Sequence, residues 1–196
     1  MQLGALVPFH DTGGDPNTVR EYAQALEAAG YDFLEAPDHV LGANAASRPG
    51  WDPDRNTSSD LFHDPFVLLS YVSGVAPKLA FSTGVLIMAQ RQTALIAKQA
   101  ACLDVLCKGR FRLGIGVGWN EVEFVGLNEN FRNCGRPSQC NPINLSGRIS
   151  AHSAMSRSVS DRWNRVRGSA RVYAPSCFHS ASTGFGEARF WKQGRS

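Results

Sequence analysis

With 196 residues, 43% of them hydrophobic, the chain is long enough to bury one sizeable core. No apolar run is long enough to span a bilayer, and Met1-Gln2-Leu3-Gly4-Ala5-Leu6-Val7-Pro8 lacks the basic start of a signal peptide, so no membrane partner is expected and the cytoplasm is the expected location. The net charge of +3 hides two unlike parts: residues 1–136 carry 11 Lys+Arg against 15 Asp+Glu, while residues 137–196 carry 9 against 2, together with 12 serines.

Arginines in the basic part are scattered over no helical face, so nucleic acid is not an expected partner. The cysteines Cys102, Cys107, Cys134, Cys140 and Cys177 are odd in number and fit neither a zinc spacing nor a disulfide framework. They read as free thiols in a reducing compartment.

Residues 2–8 read as a short strand that stops at Pro8. Asp15-Pro16 opens a helix with an acidic cap and a proline at its first position. Val19, Tyr22, Ala23, Leu26 and Ala29 share its apolar face, and Gly30 ends it. Residues 31–36 form a second strand, and a long loop runs from Asp38 to His63. Asp64-Pro65 repeats the cap signal for a helix carrying Phe66, Leu69, Val72 and Ser73, which ends before Pro77. Residues 79–88 are a third strand, apolar along much of its length, as burial on both faces demands. Thr93 caps a third helix with Ile96, Ala100, Leu103 and Leu106 on one stripe and Gly109 at its end. Residues 111–117 are a fourth strand.

Strict alternation of strands and helices predicts an α/β fold with a parallel sheet and right-handed crossovers. A doubly wound sheet and a (β/α)8 barrel both satisfy the pattern. The absence of Gly-x-Gly-x-x-Gly after the first strand speaks against a dinucleotide-binding fold. Past Val125 the pattern fades, and residues 137–196 read as a separate Ser/Arg-rich tail with little apolar periodicity.

In a parallel α/β enzyme the chemistry sits past the carboxyl ends of the strands. Four segments lie there: Phe9-His10-Asp11, Pro37-Asp38-His39, Ala89-Gln90-Arg91-Gln92 and Gly118-Trp119-Asn120-Glu121. His39 is the best candidate for acid–base work, because imidazole titrates near neutral pH and Asp38 stands beside it. A plain loop histidine fits the sequence equally well. Gly84 marks either a close approach of backbone to a flat ligand or simple packing, and Gly114, Gly116 and Gly118 leave the same two readings. Glu121 and Glu123 read as solvated charges. Trp119 reads as a stacking platform or as core. The loop Arg48–Arg55 is long enough to serve as a lid. No clustered His/Asp set suggests a metal.

The segments Ala36–Val40, Arg48–Trp51, Thr83–Leu95 and Gly114–Phe124 resemble the luciferase-like monooxygenase superfamily, and most of all its actinobacterial branch that uses coenzyme F-420. The match runs in order over residues 1–136. The resemblance implies a (β/α)8 TIM-type barrel of which about the first four βα units are present here. It implies a flavin or deazaflavin across the strand ends, coenzyme F-420 first and FMN as the alternative. A non-prolyl cis peptide would fall at Gly84-Val85. Asp38, Gly84, Val85, Val117, Gly118 and Asn120 would bind the cofactor, and His39 would assist proton transfer. The sugar-phosphate dehydrogenases of that branch carry a catalytic Glu directly after the glycine where this chain has Trp119, so their reaction is not expected. The function implied is hydride transfer or oxygen insertion on a small-molecule organic substrate. A non-catalytic barrel fragment acting as an assembly partner is the rival reading. Open edges on such a fragment predict self-association into a homo-oligomer. The family continues past Arg136 with an acidic helix and more strands, so a shifted reading frame or truncation near Cys134–Pro137 would account for the tail, a genuinely divergent tail being the alternative.

Overall fold

The structure, a computed structural model, describes residues 2–52 and 56–134. The expectations placed on residues 137–196, on Cys140 and Cys177, and on residues 53–55 of the 48–55 loop lie outside the described residues. In chain order the elements begin with β1 (Gly4–Leu6), α1 (Phe9–Thr12), α2 (Pro16–Ala28) and β2 (Phe33–Ala36). They continue with α3 (Pro65–Val75), β3 (Ala80–Thr83), β4 (Leu86–Ile87) and α4 (Thr93–Leu106). The last are β5 (Phe111–Arg112), β6 (Ile115–Gly116) and α5 (Glu121–Gly126). Short 3-10 turns occupy Ala45–Ser47, Met88–Gln90 and Phe131–Asn133. No helix among the described residues is long and apolar enough to cross a membrane.

All strand pairs are parallel, in the order β1-β2-β3-β5, with β4 pairing β6 beyond a break. The described residues thus make four successive βα units of an α/β fold. The strand expected over residues 79–88 is two strands, and so is the one over 111–117. At the break the Thr83 side chain bonds the neighbouring backbone. Its hydroxyl donates to the carbonyl of Gly114 at 2.7 Å and accepts from the Gly114 amide at 2.9 Å, in place of backbone pairing. A hydroxyl can do both at once. Pairing resumes where the Leu86 amide donates to the Gly114 carbonyl at 2.8 Å. The peptide between Gly84 and Val85, inside this break, is cis, as the resemblance implies.

Both Asp-Pro starts form as expected. The Asp15 carboxylate accepts from the Thr18 amide, and the Asp64 carboxylate accepts from the amides of Phe66 and Val67. Each proline fills the first position, where no amide proton is needed. The third start differs: Gln92, not Thr93, is the cap of α4, and it makes no side-chain cap bond. Two short helices, α1 and α5, were not evident from the sequence, because four and six residues are too few to show a helical period.

The core lies between the sheet and α2, α3 and α4. Leu34, Leu69, Val72, Phe81, Ile96 and Leu103 are fully buried in it. Leu106, expected on the α4 stripe, is exposed at the helix end. Among the described cysteines Cys102 is exposed and Cys107 buried, and neither is in a disulfide. Burial pushes the Cys107 thiol above its ordinary pKa. A thiol reagent at mildly alkaline pH should therefore label Cys102 first and reach Cys107 only on unfolding. Equal labelling rates in the native chain would contradict this packing.

Candidate active site

Three strand ends meet at one side of the sheet. Past β2 come Asp38 and His39, past β4 come Gln90 and Arg91, and past β6 the chain turns through Gly118 and Trp119 into α5. Asp38 is 2% exposed. One of its oxygens accepts from the Ile87 amide and from Nε of Arg91, both at 3.0 Å, and the other lies 2.5 Å from Nη2 of Arg91. Arg91 also reaches Asp64, 2.7 Å from Nη1. Burial works against the Arg91 charge, but the hydrogen bonds and negative charges of Asp38 and Asp64 outweigh it and hold the guanidinium above its ordinary pKa. The Asp38 carboxylate thus ties the end of β2 to the segment after the cis peptide.

Asp64 serves both as helix cap and as ion-pair partner. Asp64→Ala is expected to cost about 1 kcal/mol from the lost cap alone, with the lost Arg91 contact added. Asp64→Asn should recover the cap share, since Asn caps as well as Asp. Urea midpoints of the two variants separate the roles, and identical losses would rule out the cap.

His39 is held by a different carboxylate. Its Nδ1 lies 3.1 Å from Oε1 of Glu123. Glu123 is fully buried and also accepts from the Leu41 amide at 3.4 Å, from Nδ2 of Asn56 at 3.3 Å and from Nε2 of Gln90 at 3.4 Å. The sequence reading of Glu123 as a solvated charge is therefore corrected: it is the buried anchor of the histidine. Nothing local announces this, because its partner lies 84 residues away. The imidazole stands edge-on to Phe62 at 4.7 Å and to Trp119 at 6.0 Å between ring centroids. Trp119 is 48% exposed, a rim residue rather than core. His39, Val40, Phe62, Asp64, Gln90 and Arg91 line an open pocket of about 230 Å³.

The glycines pack strands together. A methyl added at Gly114 would stand 2.1 Å from the Thr83 carbonyl oxygen, and one at Gly116 would stand 2.4 Å from Val85. At Gly84 it would meet the Glu35 carboxyl at 2.1 Å, and at Gly118 it would meet Ile87 at 2.9 Å. Gly118 also has φ +79°, a turn that disfavours any side chain. All four are closely packed where a side chain would stand. Val117 is half-buried between two of these glycines. Asn120 is buried and caps α5 by accepting from the Val122 amide, while its Nδ2 has no partner among the described residues. His10 is well exposed and pairs with Asp60 at 3.2 Å, apart from this pocket.

The family model for luciferase-like monooxygenases matches residues 1–136. The chain belongs to that family. Among curated relatives it is 36% identical to the uncharacterized protein Rv0940c of Mycobacterium tuberculosis over 111 residues, which cover 54% of this chain and 38% of that protein. It is 30% identical to the uncharacterized protein Rv0953c of the same organism over 131 residues, covering 64% and 45%. The chain thus spans less than half the length of the curated relatives it matches. Among solved structures it is similar to the oxygenating constituent of 3,6-diketocamphane monooxygenase from the CAM plasmid of Pseudomonas putida in complex with FMN. The TM-score is 0.57 at 15% identity, covering 75% of this chain and 40% of that one. That likeness supports the parallel α/β fold.

Proposed function

We propose that this chain carries part of the active site of a flavin- or deazaflavin-dependent oxidoreductase acting on a small organic molecule, with His39 as its proton-transfer residue. The observation that carries the reading is the His39–Glu123 pair at a strand-end pocket in a luciferase-like chain. The residues fit a flat ring bearing a hydrogen-bond donor. His39, whose Nδ1 is engaged by Glu123, lines the pocket beside Gln90, and Gln90 Oε1 is buried without a partner among the described residues. Trp119 offers an exposed aromatic face at the rim. Coenzyme F-420 is the cofactor we favour, on the motif resemblance. FMN is the second choice and is the cofactor held by the 3,6-diketocamphane monooxygenase structure.

When bound, such a ring supplies hydride or oxygen chemistry that no side chain can. The chain's residues supply the rest. Gln90, Val85 and Asn120 would hold the ring region, while Asp38 acts through Arg91 and the Ile87 amide to fix the loop beneath it. His39 moves a proton at Nε2, the ring nitrogen not engaged by Glu123. Phe62 and Trp119 limit rotation of the imidazole and keep water from one side of it.

The test is a fluorescence titration of the purified chain with coenzyme F-420 and with FMN. Saturable binding, tighter for F-420, is expected. It should be weak, because the chain spans less than half the length of its relatives. No binding of either cofactor would overturn the reading for this chain, and tighter binding of FMN would reverse the cofactor preference.

A further inference from the structure

We propose that Glu123 is a positioning residue that sets the hydrogen-bond polarity of the pocket. By accepting from Nδ1 of His39 and from Nε2 of Gln90, it leaves Nε2 as the acceptor nitrogen of a pocket-lining imidazole and fixes which way the Gln90 amide is turned. The role in turnover rests on the function proposed above, whereas the polarity itself does not.

A carboxylate only accepts hydrogen bonds. Three obligate donors converge on this one: the Leu41 amide, Nδ2 of Asn56 and Nε2 of Gln90. The fourth neighbour is Nδ1 of His39, at 3.1 Å the shortest of the set. A neutral imidazole carries one donor and one acceptor nitrogen. With a carboxylate at Nδ1, the proton stays on Nδ1 and the lone pair is left on Nε2.

The same logic fixes the amides. Rotating the Gln90 amide by half a turn would set its oxygen against Glu123 Oε2, acceptor against acceptor. Its oxygen therefore points away from Glu123, and it is buried without a partner among the described residues. Asn56 repeats the arrangement. Its Nδ2 donates to the Leu41 carbonyl at 2.9 Å and to Glu123 at 3.3 Å, and its Oδ1 is left unpartnered. One buried carboxylate thus orients three side chains, of which His39 and Gln90 line the pocket. At His39 the pocket suits a ligand edge that donates, an N–H or an O–H. A group that only accepts would meet the Nε2 lone pair.

The experiment uses the full chain with ¹⁵N-labelled histidine. The His39 ring is assigned by its loss in His39→Gln and observed at about pH 8.5, above the ordinary histidine range. The proton is expected on Nδ1 in the native chain. In Glu123→Gln, whose amide can donate to Nδ1, the Nε2-protonated form should become the major or an equal species. Glu123→Asp keeps a carboxylate and should retain the Nδ1 proton. Where cofactor turnover is measurable, Glu123→Gln should lower kcat by about 10²-fold with cofactor affinity changed little. A native His39 protonated mainly on Nε2 would overturn the proposal. So would an unchanged tautomer in a folded Glu123→Gln chain, folding being judged by circular dichroism. If Glu123→Gln fails to fold, the native tautomer and Glu123→Asp decide. A chain with the Nδ1 tautomer that binds neither cofactor sinks the proposed function and leaves this inference standing. The Nε2 tautomer in a chain that binds cofactor does the reverse.

Discussion

His39→Ala is expected to lower cofactor-dependent turnover by about 10²- to 10⁴-fold, the range for loss of a positioned acid–base group, while cofactor affinity changes far less. The split follows from geometry. Nδ1 is engaged by Glu123, and the ring is bracketed by Phe62 and Trp119, so the imidazole is oriented rather than free. Its Nε2 is the one nitrogen left for a proton in flight, and a proton matters in the transition state more than in the bound complex. Removing the ring also strips a fully buried carboxylate of its shortest donor, so some stability should be lost. Steady-state kcat and KM, measured well below the variant's own Tm, keep that loss out of the result. Unchanged kcat would make His39 a loop histidine. Free imidazole added to the variant should restore part of the rate, which lost stability alone would not allow.

Much of this site was legible because parallel sheets put chemistry past the carboxyl ends of their strands. That rule alone drew attention to Asp38, His39, Gln90 and Trp119 together. The helix starts at Asp15 and Asp64 were legible because a cap bond is local, reaching two or three residues. What escaped was long-range. Glu123 is a charge in a six-residue helix, and only its contact with His39 reveals it as buried. Arg91 looked like one polar residue among several after the third strand. Its partners lie 53 and 27 residues away, and no spacing rule connects them. The break in the third strand escaped for a related reason. Thr83 is a good strand residue by propensity, and its hydroxyl competes with the ladder only because Gly114 of the next strand lets the backbones approach. The role expected for Asp38 shows the same limit from the other side. Its place beside the pocket was readable, but the engagement of both its oxygens by Arg91 was not.

Arg91→Ala should cost about 3–5 kcal/mol of folding stability, the loss that follows when one partner of a buried ion pair is removed. The Asp38 side chain is entirely shielded from solvent and that of Arg91 is 15% exposed, so the pair is held largely out of water. Among the described residues Asp38 would keep only the Ile87 amide as donor, and its charge would stay buried with no cation among them. Asp64, 31% exposed, would be partly rehydrated, so the cost concentrates at Asp38. Arg91→Lys should recover only part of it. An ammonium group lacks the planar fork that sends Nε and Nη2 to Asp38 and Nη1 to Asp64. Asp38→Asn in the Arg91→Ala background should restore stability relative to Arg91→Ala alone, because it removes the stranded charge and keeps an acceptor for the Ile87 amide. Urea unfolding of the unaltered chain, Arg91→Ala, Asp38→Asn and the double variant completes the cycle. A loss below about 1 kcal/mol for Arg91→Ala, the value of a solvated pair, would mean that water reaches Asp38. The two strand ends would then be held together by packing rather than by this charge pair.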